Sequence, residues 1–203
     1  MTLPYDFRNP SFKSPKAHML REWEQKWITC QKCEILACST LRTIVGEGSP
    51  DSVALAIGEA PGAVESVYRR PFVGPAGKIL RQTFLKDIEE YVFVTNILAC
   101  RAPFNRKALL KESNNCKARL DELRAIFYPP LIAVFGDAVK AIIAPDIPER
   151  GVVYTIGDQD FIWLYHPAYI LRRGGIEERH SNTTVDKALI QYEETKQIIL
   201  RLI

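Results

Sequence analysis

Apolar residues along this chain form short unbroken runs that alternate with longer stretches of helical spacing. The runs "SVALAIG" (52–58) and "YVFVTNIL" (91–98) are almost wholly apolar, which is typical of strands buried on both faces. "PLIAVFGDAVKAII" (130–143) repeats the unit of strand, glycine and helix. "GVVYTIG" and "DFIWLYHP" predict a hairpin or paired strands around a "GDQD" turn. Helical spacing predicts further helices over 18–30, 76–88, 111–127 and 183–203.

Strands and helices that alternate in this way predict an α/β sandwich with a mainly parallel central sheet. In open sheets of this kind, ligands bind outside the carboxyl ends of the strands. The residues that follow the predicted strands are Gly58, Glu59, Pro61, Gly62 and Glu65, then Asn96, Cys100, Arg101 and Asn105, then Gly136 and Asp137, and finally His166 and Pro167. Because most of them are polar or small, we expect the ligand site at this edge of the sheet.

The length and composition indicate one globular domain. The chain has 203 residues, of which 47% are hydrophobic and 25% charged, enough for one sizeable core. Only about the first 15 residues are expected to be loosely ordered. Neither a membrane-spanning run nor a signal-peptide pattern is apparent, so we expect a cytoplasmic protein without membrane contact, and a monomer. A net charge of +3 permits nucleic-acid binding without establishing it.

Five cysteines in such a chain favour a metal site or reactive thiols over a disulfide framework. Cys30 and Cys33 form "CQKC", a spacing that lets two thiolates reach one metal centre. Cys38 follows closely, whereas Cys100 and Cys116 are isolated, and the second close pair of a zinc ribbon is absent. This spread suits an iron–sulfur cluster better than zinc. The alternative is a coincidental surface pair with the other cysteines buried as small apolar residues.

Two nucleotide-binding motifs are excluded by their spacing. "VGPAGKI" resembles a phosphate-binding loop, but Gly74 and Gly77 are too close together and Ile79 replaces the hydroxyl residue after Lys78. "GEAPG" lacks the third glycine and the spacing of a dinucleotide-binding turn.

Five segments in order carry a resemblance to a known family. They are "GEAPGAVE…RRPFVGPAGKIL", "VTNILACRAPFNR", "ESNNC", "LIAVFGDAV" and "YHPAYILRR". With the cysteine pair upstream, they resemble the family 4 uracil-DNA glycosylases, the iron–sulfur members of the uracil-DNA glycosylase superfamily. The resemblance implies a single-domain α/β/α sandwich with a central four-stranded, mainly parallel sheet. It divides the chain into an N-terminal extension and helix (1–26) and a glycosylase-like domain (27–203).

The resemblance also implies a cofactor and a reaction. A [4Fe–4S] cluster would be bound by Cys30, Cys33, Cys100 and Cys116, with Cys38 taking no part. The enzyme would hydrolyse the N-glycosidic bond of deoxyuridine in single- or double-stranded DNA, releasing uracil and leaving an abasic site. No lysine occupies a motif position suited to a Schiff base, so lyase activity is not expected.

The resemblance assigns roles to three side chains. His166 would hydrogen-bond uracil O2 and stabilise the leaving anion. Asn96 would read the N3 and O4 edge of uracil, which cytosine reverses. Phe72 would stack on the extruded base, and the flanking Pro71 and Gly74 suggest an exposed loop. Without the resemblance, the same residues suit a structural histidine, a turn or cap asparagine and a core phenylalanine.

Two carboxylates and a glycine complete the expected substrate site. Glu65 would orient or activate the attacking water, and Glu59 would shape the pocket through hydrogen bonds. Gly58 lies directly before Glu59, at the end of the first predicted strand. Either carboxylate could instead be a solvated surface charge.

Basic loop residues are expected to contact DNA. Such charges bind the phosphate backbone without reading sequence. By the family pattern, Ile170 and Leu171 would wedge into the space left by the flipped nucleotide. The basic residues are Arg69, Arg70, Arg101, Arg106, Lys107, Arg172 and Arg173.

Several positions depart from the family pattern. Ser66 and Arg69 replace an acidic residue and a glycine, Ala102 replaces a proline, and Ala168 replaces a serine that could bind a phosphate. These changes leave two alternatives to the uracil enzyme: a glycosylase for another altered base, and a non-catalytic DNA-binding module acting in replication or repair. Retention of Glu65 together with Asn96 and His166 favours the enzyme, because a module would need none of them.

Overall fold

The computed structural model describes residues 3–34, 43–176 and 183–203. Within these ranges, alternating helices and strands form one five-stranded sheet in the order β2-β1-β3-β5-β4. The strands are β1 (Ala54–Gly58), β2 (Val92–Asn96), β3 (Leu131–Phe135), β4 (Val153–Ile156) and β5 (Gln159–Leu164). The helices are α1 (Pro15–Trp27), α2 (Ala63–Tyr68), α3 (Pro75–Gln82), α4 (Leu110–Phe127), α5 (Asp137–Ile143), α6 (Pro167–Arg172) and α7 (Thr183–Leu200).

Four of the five strands are parallel, as the sequence predicts. β1, β2, β3 and β5 pair in parallel, and every residue of β1, β2 and β3 is buried. The expected count of four strands is one short, because β4 pairs antiparallel with β5 at the sheet edge. A two-residue turn joins them, and its first residue, Gly157, has a φ of 66°, which suits the tight turn of a hairpin. The predicted hairpin is thus confirmed.

Side chains of each strand alternate between two cores, one on each face of the sheet. Leu55 and Ile57 of β1 pack into the core that includes residues of α1, α4 and α5. Ala54 and Ala56 face the other core, which includes residues of α3, α6 and α7. Helices on both faces of a mainly parallel sheet confirm the α/β/α sandwich. None of the helices within the described ranges is long and apolar enough to cross a membrane.

The N-terminal segment is packed, which corrects one expectation. Phe7 is fully buried and its ring centroid lies 5.8 Å from that of Phe93. Arg8 pairs with the buried Asp6 at 2.9 Å and with Glu24 of α1 at 2.6 Å. The segment expected to be loosely ordered is therefore anchored to the core through Phe7 and to α1 through Arg8. The domain boundary at residue 26 stays a prediction.

Helix α3 is shorter than its apolar spacing predicts. The pattern extends to residue 88, but the helix ends at Gln82 because Thr83 leaves helical geometry, with φ −118° and ψ −83°. The hydroxyl of Thr83 donates to the carbonyl of Ile79 at 2.6 Å, a bond that competes with regular helix continuation. Leu85 and Ile88 are still buried, so the periodic apolar residues fill the core from turns rather than from a helix.

Candidate active site and cysteine cluster

An open cavity of about 550 Å³ lies at the carboxyl ends of β1, β3 and β5. This size is in the range of small-ligand sites, and the position is the one expected for an open α/β sheet. Four cationic side chains and two carboxylates are among its lining residues, so its electrostatic character favours an anionic ligand. The lining residues are Glu59, Ala60, Pro61, Gly62, Ala102, Asn105, Arg106, Lys107, Phe135, Gly136, Asp137, Ala138, Arg150, Tyr165, His166, Ala168, Tyr169 and Arg172.

His166 lines this cavity in a defined protonation state. It is the residue that caps α6, and its Nδ1 accepts the backbone N–H of Ala168 at 3.1 Å. Burial, and secondly the positive charge of Arg172, lower the pKa of His166 to about 4. The imidazole is therefore neutral at pH 7 with its proton on Nε2. Gly136 makes room for it, since a Cβ there would lie 3.1 Å from the His166 Cβ.

Asn96, Gly58 and Phe72 meet at the ends of β1 and β2. Gly58 pairs in register with Asn96 across the parallel ladder. A Cβ on Gly58 would lie 2.4 Å from Oδ1 of Asn96 and 2.6 Å from Cζ of Phe72, so only glycine fits. Phe72 has a φ of 53° and is only 6% exposed. It lies on a loop as expected, but the expectation of an exposed loop is wrong: Pro71, Phe72 and Gly74 are buried, and the Phe72 ring packs against the end of β1. Asn96, Gly58 and Phe72 are not among the residues that line the large cavity.

The two predicted carboxylates occupy different positions. Glu59 lines the cavity, and its Oε1 accepts the backbone N–H of Ala108 at 2.8 Å. Glu65 does not line it; its carboxylate accepts the N–H groups of Gly62, Val73 and Gly74 at 3.1, 3.1 and 2.7 Å. Glu65 thus ties the start of α2 to the start of α3.

Arg70 makes an internal ion pair. Its guanidinium binds the carboxylate of Glu47 through two hydrogen bonds, at 2.6 and 2.8 Å, and the Glu47 side chain is only 3% exposed. Arg81 joins the same carboxylate at 3.1 Å and also donates to the carbonyls of Pro71 and Phe72. The structure therefore gives Arg70 a role in holding the Phe72 loop, whereas the sequence predicts a DNA contact.

Ile170 and Leu171 are the two residues predicted to insert into DNA, and the structure contradicts this prediction for Ile170. Ile170 is fully buried in the core between α3 and α7, whereas Leu171 is 41% exposed. A side chain that fills the protein core is not available to enter DNA. The role of Leu171 stays a prediction.

Three of the other predicted DNA contacts, Arg106, Lys107 and Arg172, lie at the cavity. Arg106 and Arg172 line it, and Arg106 also binds Glu112 through two hydrogen bonds. The guanidinium of Arg101 donates to Oδ1 of Asn105 at 2.7 Å. The cavity-lining residues Arg106, Lys107 and Arg172 place positive charge at the cavity, as DNA binding requires.

The four cysteines named by the resemblance line a second, small cavity. Cys30 and Cys33 follow α1, Cys100 follows β2, and Cys116 lies on α4. The amide of Asn115 donates to Sγ of Cys33 at 3.3 Å, and burial raises the pKa of the Cys116 thiol. Within the described ranges, no three His, Cys, Asp or Glu side chains converge closely enough for a single metal ion. Cys38 lies outside the described residues.

Comparison with known proteins decides the family. The model of the uracil DNA glycosylase superfamily matches residues 45–189. The chain belongs to this superfamily. It is 32% identical over 157 residues to the type-4 uracil-DNA glycosylase of Sulfurisphaera tokodaii, covering 75% of this chain and 70% of the relative. It is 31% identical to the type-4 uracil-DNA glycosylase of Archaeoglobus fulgidus, covering 76% of this chain and 84% of the relative. It is also 31% identical to the type-4 uracil-DNA glycosylase of Thermotoga maritima, covering 74% of this chain and 82% of the relative. The resemblance read from the sequence motifs is confirmed.

Sequence reasoning missed three charged residues of this superfamily member. Arg150 lines the cavity and stacks on Trp163 and Tyr165, with Cζ 4.0 and 4.2 Å from the ring centroids. Glu47 and Arg81 hold the Phe72 loop. None of the three lies in a motif with recognisable spacing, and Glu47 lies outside the five strands in an isolated bridge to Val94, so only the tertiary structure reveals them.

Proposed function

We propose that this protein is a monofunctional uracil-DNA glycosylase that hydrolyses the N-glycosidic bond of deoxyuridine in DNA. The observation that carries the proposal is the neutral His166 in the wall of the cationic cavity, with Nε2 as its donor. The similarity of this chain to proteins named type-4 uracil-DNA glycosylases supports deoxyuridine in DNA as the substrate. The products are free uracil and an abasic site.

The reaction separates charge, and His166 acts on its negative part. As the bond between C1′ and N1 breaks, the electron pair leaves with uracil and the sugar becomes cationic. Nε2–H of His166 donates a hydrogen bond to O2 of the departing uracil. A neutral imidazole retains this donor without being a strong acid, and exclusion of water strengthens the bond.

A water molecule completes the reaction: its oxygen bonds to C1′, and the proton that it loses is balanced by the proton that the uracil anion takes up at N1 to become free uracil. The geometry favours Glu59 over Glu65 as the carboxylate that orients this water, because Glu59 lines the cavity and Glu65 is held by three backbone N–H groups. Glu65 then acts by fixing the loop that carries Phe72. The pair of variants Glu59→Gln and Glu65→Gln tests this assignment: we expect the first to slow cleavage at constant folding stability and the second to reduce stability.

Asn96 is the proposed reader of the base. Its side-chain amide offers a donor and an acceptor to O4 and N3–H of uracil, and Gly58 leaves it the necessary space. Asn96→Asp replaces the donor with an acceptor, so excision of uracil should be lost. Unchanged excision by this variant would exclude Asn96 as the reader.

The cysteine cavity fits a [4Fe–4S] cluster held by Cys30, Cys33, Cys100 and Cys116. All four thiols line one space, and the buried guanidinium of Arg119 beside them offsets the negative charge of thiolate ligands. A four-iron cluster separates its ligands more widely than a single metal ion does, so four cysteines spaced too widely for one ion are still suited to a cluster. When bound, it supplies a covalent cross-link between α1, α4 and the loop after β2.

Iron and sulfide analysis tests the cluster assignment. Anaerobically purified protein should contain four irons and four sulfides per chain, and Cys116→Ser should lower both contents. Cys38→Ser is the matched control and should retain them. Full iron content in Cys116→Ser would overturn the assignment.

An excision assay tests the proposed function. The protein is incubated with an oligonucleotide that contains one uracil, and alkali then cleaves the chain at any abasic site. We expect the parent and His18→Ala, whose side chain is 72% exposed on α1, to be active, and His166→Ala to be inactive. A parent protein that binds DNA without excising uracil would contradict the proposal and favour the non-catalytic or altered-base alternative.

A further inference from the structure

Phe104 is the most exposed large apolar side chain in the described part of the chain. It is 98% exposed, compared with 77% for Val67 and 70% for Leu110. An exposed phenyl ring forgoes the stabilisation that burial of a large apolar group normally gives. A single exposed apolar residue is ordinary in proteins, so exposure alone does not indicate a role. The backbone and the neighbours of Phe104 supply the further observations.

The backbone around Phe104 is held in an unusual conformation. Phe104 and Asn105 have φ values of 54° and 55°, a left-handed region that non-glycine residues rarely adopt. Two backbone hydrogen bonds close the turn, from Asn105 N to the carbonyl of Ala102 at 3.0 Å and from Arg106 N to that of Pro103 at 3.1 Å. The structure thus fixes the ring in an outward position at some conformational cost, which is typical of functional sites.

The ring stands beside the cationic rim of the active-site cavity. Ala102 and Asn105, on either side of it along the chain, both line that cavity, as do Arg106 and Lys107. The side chain of Arg101 bonds to Asn105 and so braces the turn from its base. A fixed aromatic ring with cations next to it is the arrangement with which proteins bind single-stranded or unpaired nucleotides.

We propose that Phe104 stacks on an unpaired DNA base next to the extruded nucleotide. The proposal rests on the proposed glycosylase function, since it needs DNA at this cavity. Extrusion of a nucleotide breaks the stack and leaves neighbouring bases with an uncovered face. Phe104 covers one such face, while Arg106 and Lys107 bind the adjoining phosphates. Ile170 is buried in the core and is not available for the predicted insertion into DNA, whereas Phe104 is an exposed apolar group next to cavity-lining residues.

Binding measured on DNA that cannot react tests this inference separately from catalysis. The probe is an oligonucleotide with a stable abasic-site analogue and 2-aminopurine as the neighbouring base. Removal of one base–aromatic stack should weaken binding by roughly 5- to 150-fold. We therefore expect Phe104→Ala to weaken binding to this extent and to restore 2-aminopurine fluorescence that the parent protein quenches.

Matched variants distinguish stacking from other effects. Phe104→Trp should keep parent-like affinity and quenching, whereas Phe104→Leu should lose both, because leucine is apolar but has no aromatic face. Leu110→Ala removes another exposed apolar side chain and should bind as the parent does. Equal binding by the parent and Phe104→Ala, or parent-like binding by Phe104→Leu, would overturn the inference. If the parent protein excised no uracil but Phe104→Ala still bound the probe more weakly than the parent, only the proposed function would be contradicted, and the stacking role of Phe104 would stand.

Discussion

Replacement of the buried Arg119 by methionine is predicted to destabilise the protein and displace the end of β2. Arg119 lies on α4 and is 1% exposed. Its guanidinium donates to the carbonyl of Val45 at 2.6 Å and to Oγ1 of Thr95 at 3.1 Å. It also donates to the carbonyls of Asn96 and Ile97, the second at 3.1 Å. One side chain thus joins the helix that carries Cys116 to the strand end that carries the proposed base reader.

The size of the effect follows from the acceptors that lose their donor. The Val45 carbonyl retains a second donor, the hydroxyl of Thr95 at 2.6 Å. Most of the lost stability therefore comes from the carbonyls of Asn96 and Ile97, which lose the donor that Arg119 supplies. Leaving a buried acceptor without a partner costs about 1–3 kcal/mol. Part of this cost is recovered, since Arg119 Nε has no hydrogen-bond partner among the described residues and methionine avoids burial of a charge. We expect a net loss of about 2–4 kcal/mol.

Denaturant unfolding followed by tryptophan fluorescence measures this loss. For a chain of this length, the same change should lower the melting temperature by about 5–15 °C. Lys117→Met, on the same helix with a side chain that is 66% exposed, is the control and should change stability by less than about 0.5 kcal/mol. Arg119→Lys should fall between the two, because lysine keeps the charge but not the planar fork. Parent-like or higher stability of Arg119→Met would refute the argument and show that the guanidinium is a net cost.

Three further predictions concern the active site. Glu65→Gln should lower unfolding free energy by about 1–3 kcal/mol, measured in urea, because an N–H-accepting oxygen becomes a donor; unchanged stability with slowed excision would instead favour direct action on water. The pKa of His166 is about 4 in the folded protein and 6.5 when unfolded, so the unfolded state binds more protons between these values. The free energy of unfolding should therefore fall by up to about 3 kcal/mol as the pH drops from 6.5 to 4, and it should level off below pH 4. In a pH series of unfolding curves, His166→Asn should lack this pH-dependent loss of stability. Gly58→Ala should displace Asn96 and Phe72 and abolish uracil excision in the gel assay, while DNA affinity measured by anisotropy stays at the parent value; normal excision would show that the site tolerates the added methyl group.

The apolar pattern predicts the sheet and its ligand edge because both follow from local rules. β1, β2 and β3 are buried on both faces, and such strands must be apolar throughout, which makes them visible in the sequence. Once the strands are located, Asn96 lies at the carboxyl end of β2, and Glu59 and His166 follow the carboxyl ends of β1 and β5. The edge strand β4 is visible through its turn instead, because its own residues are only partly buried.

The direction of a side chain does not follow from its place in the sequence. Arg70 and Arg106 both lie in basic loops and both bind a glutamate, yet only Arg106 lines the cavity, because Arg70 is held by Glu47, which lies 23 residues earlier in the chain. Ile170 and Leu171 are adjacent, and a helix turns one into the core and the other to solvent. For the cysteines, spacing left two alternatives open, and the fold brings four of them to one cavity. Such facts depend on contacts between distant segments, which a single sequence does not encode in any local pattern.

Phe104 shows how the two kinds of information combine. A phenylalanine between Pro103 and Asn105 gives no periodic signal, and a loop phenylalanine is as readily buried as exposed. Phe72 illustrates the buried case: it has nearly the same positive φ as Phe104, yet its ring fills the space above Gly58. Two loop aromatics with nearly the same φ thus have opposite surroundings, one inside the protein and one in solvent. If both contact DNA bases, Phe72 must meet a base that enters the protein, and Phe104 one that stays in the strand. Comparing Phe72→Ala with Phe104→Ala on the abasic-analogue DNA separates these roles, because only Phe104 should matter when no base is there to be extruded.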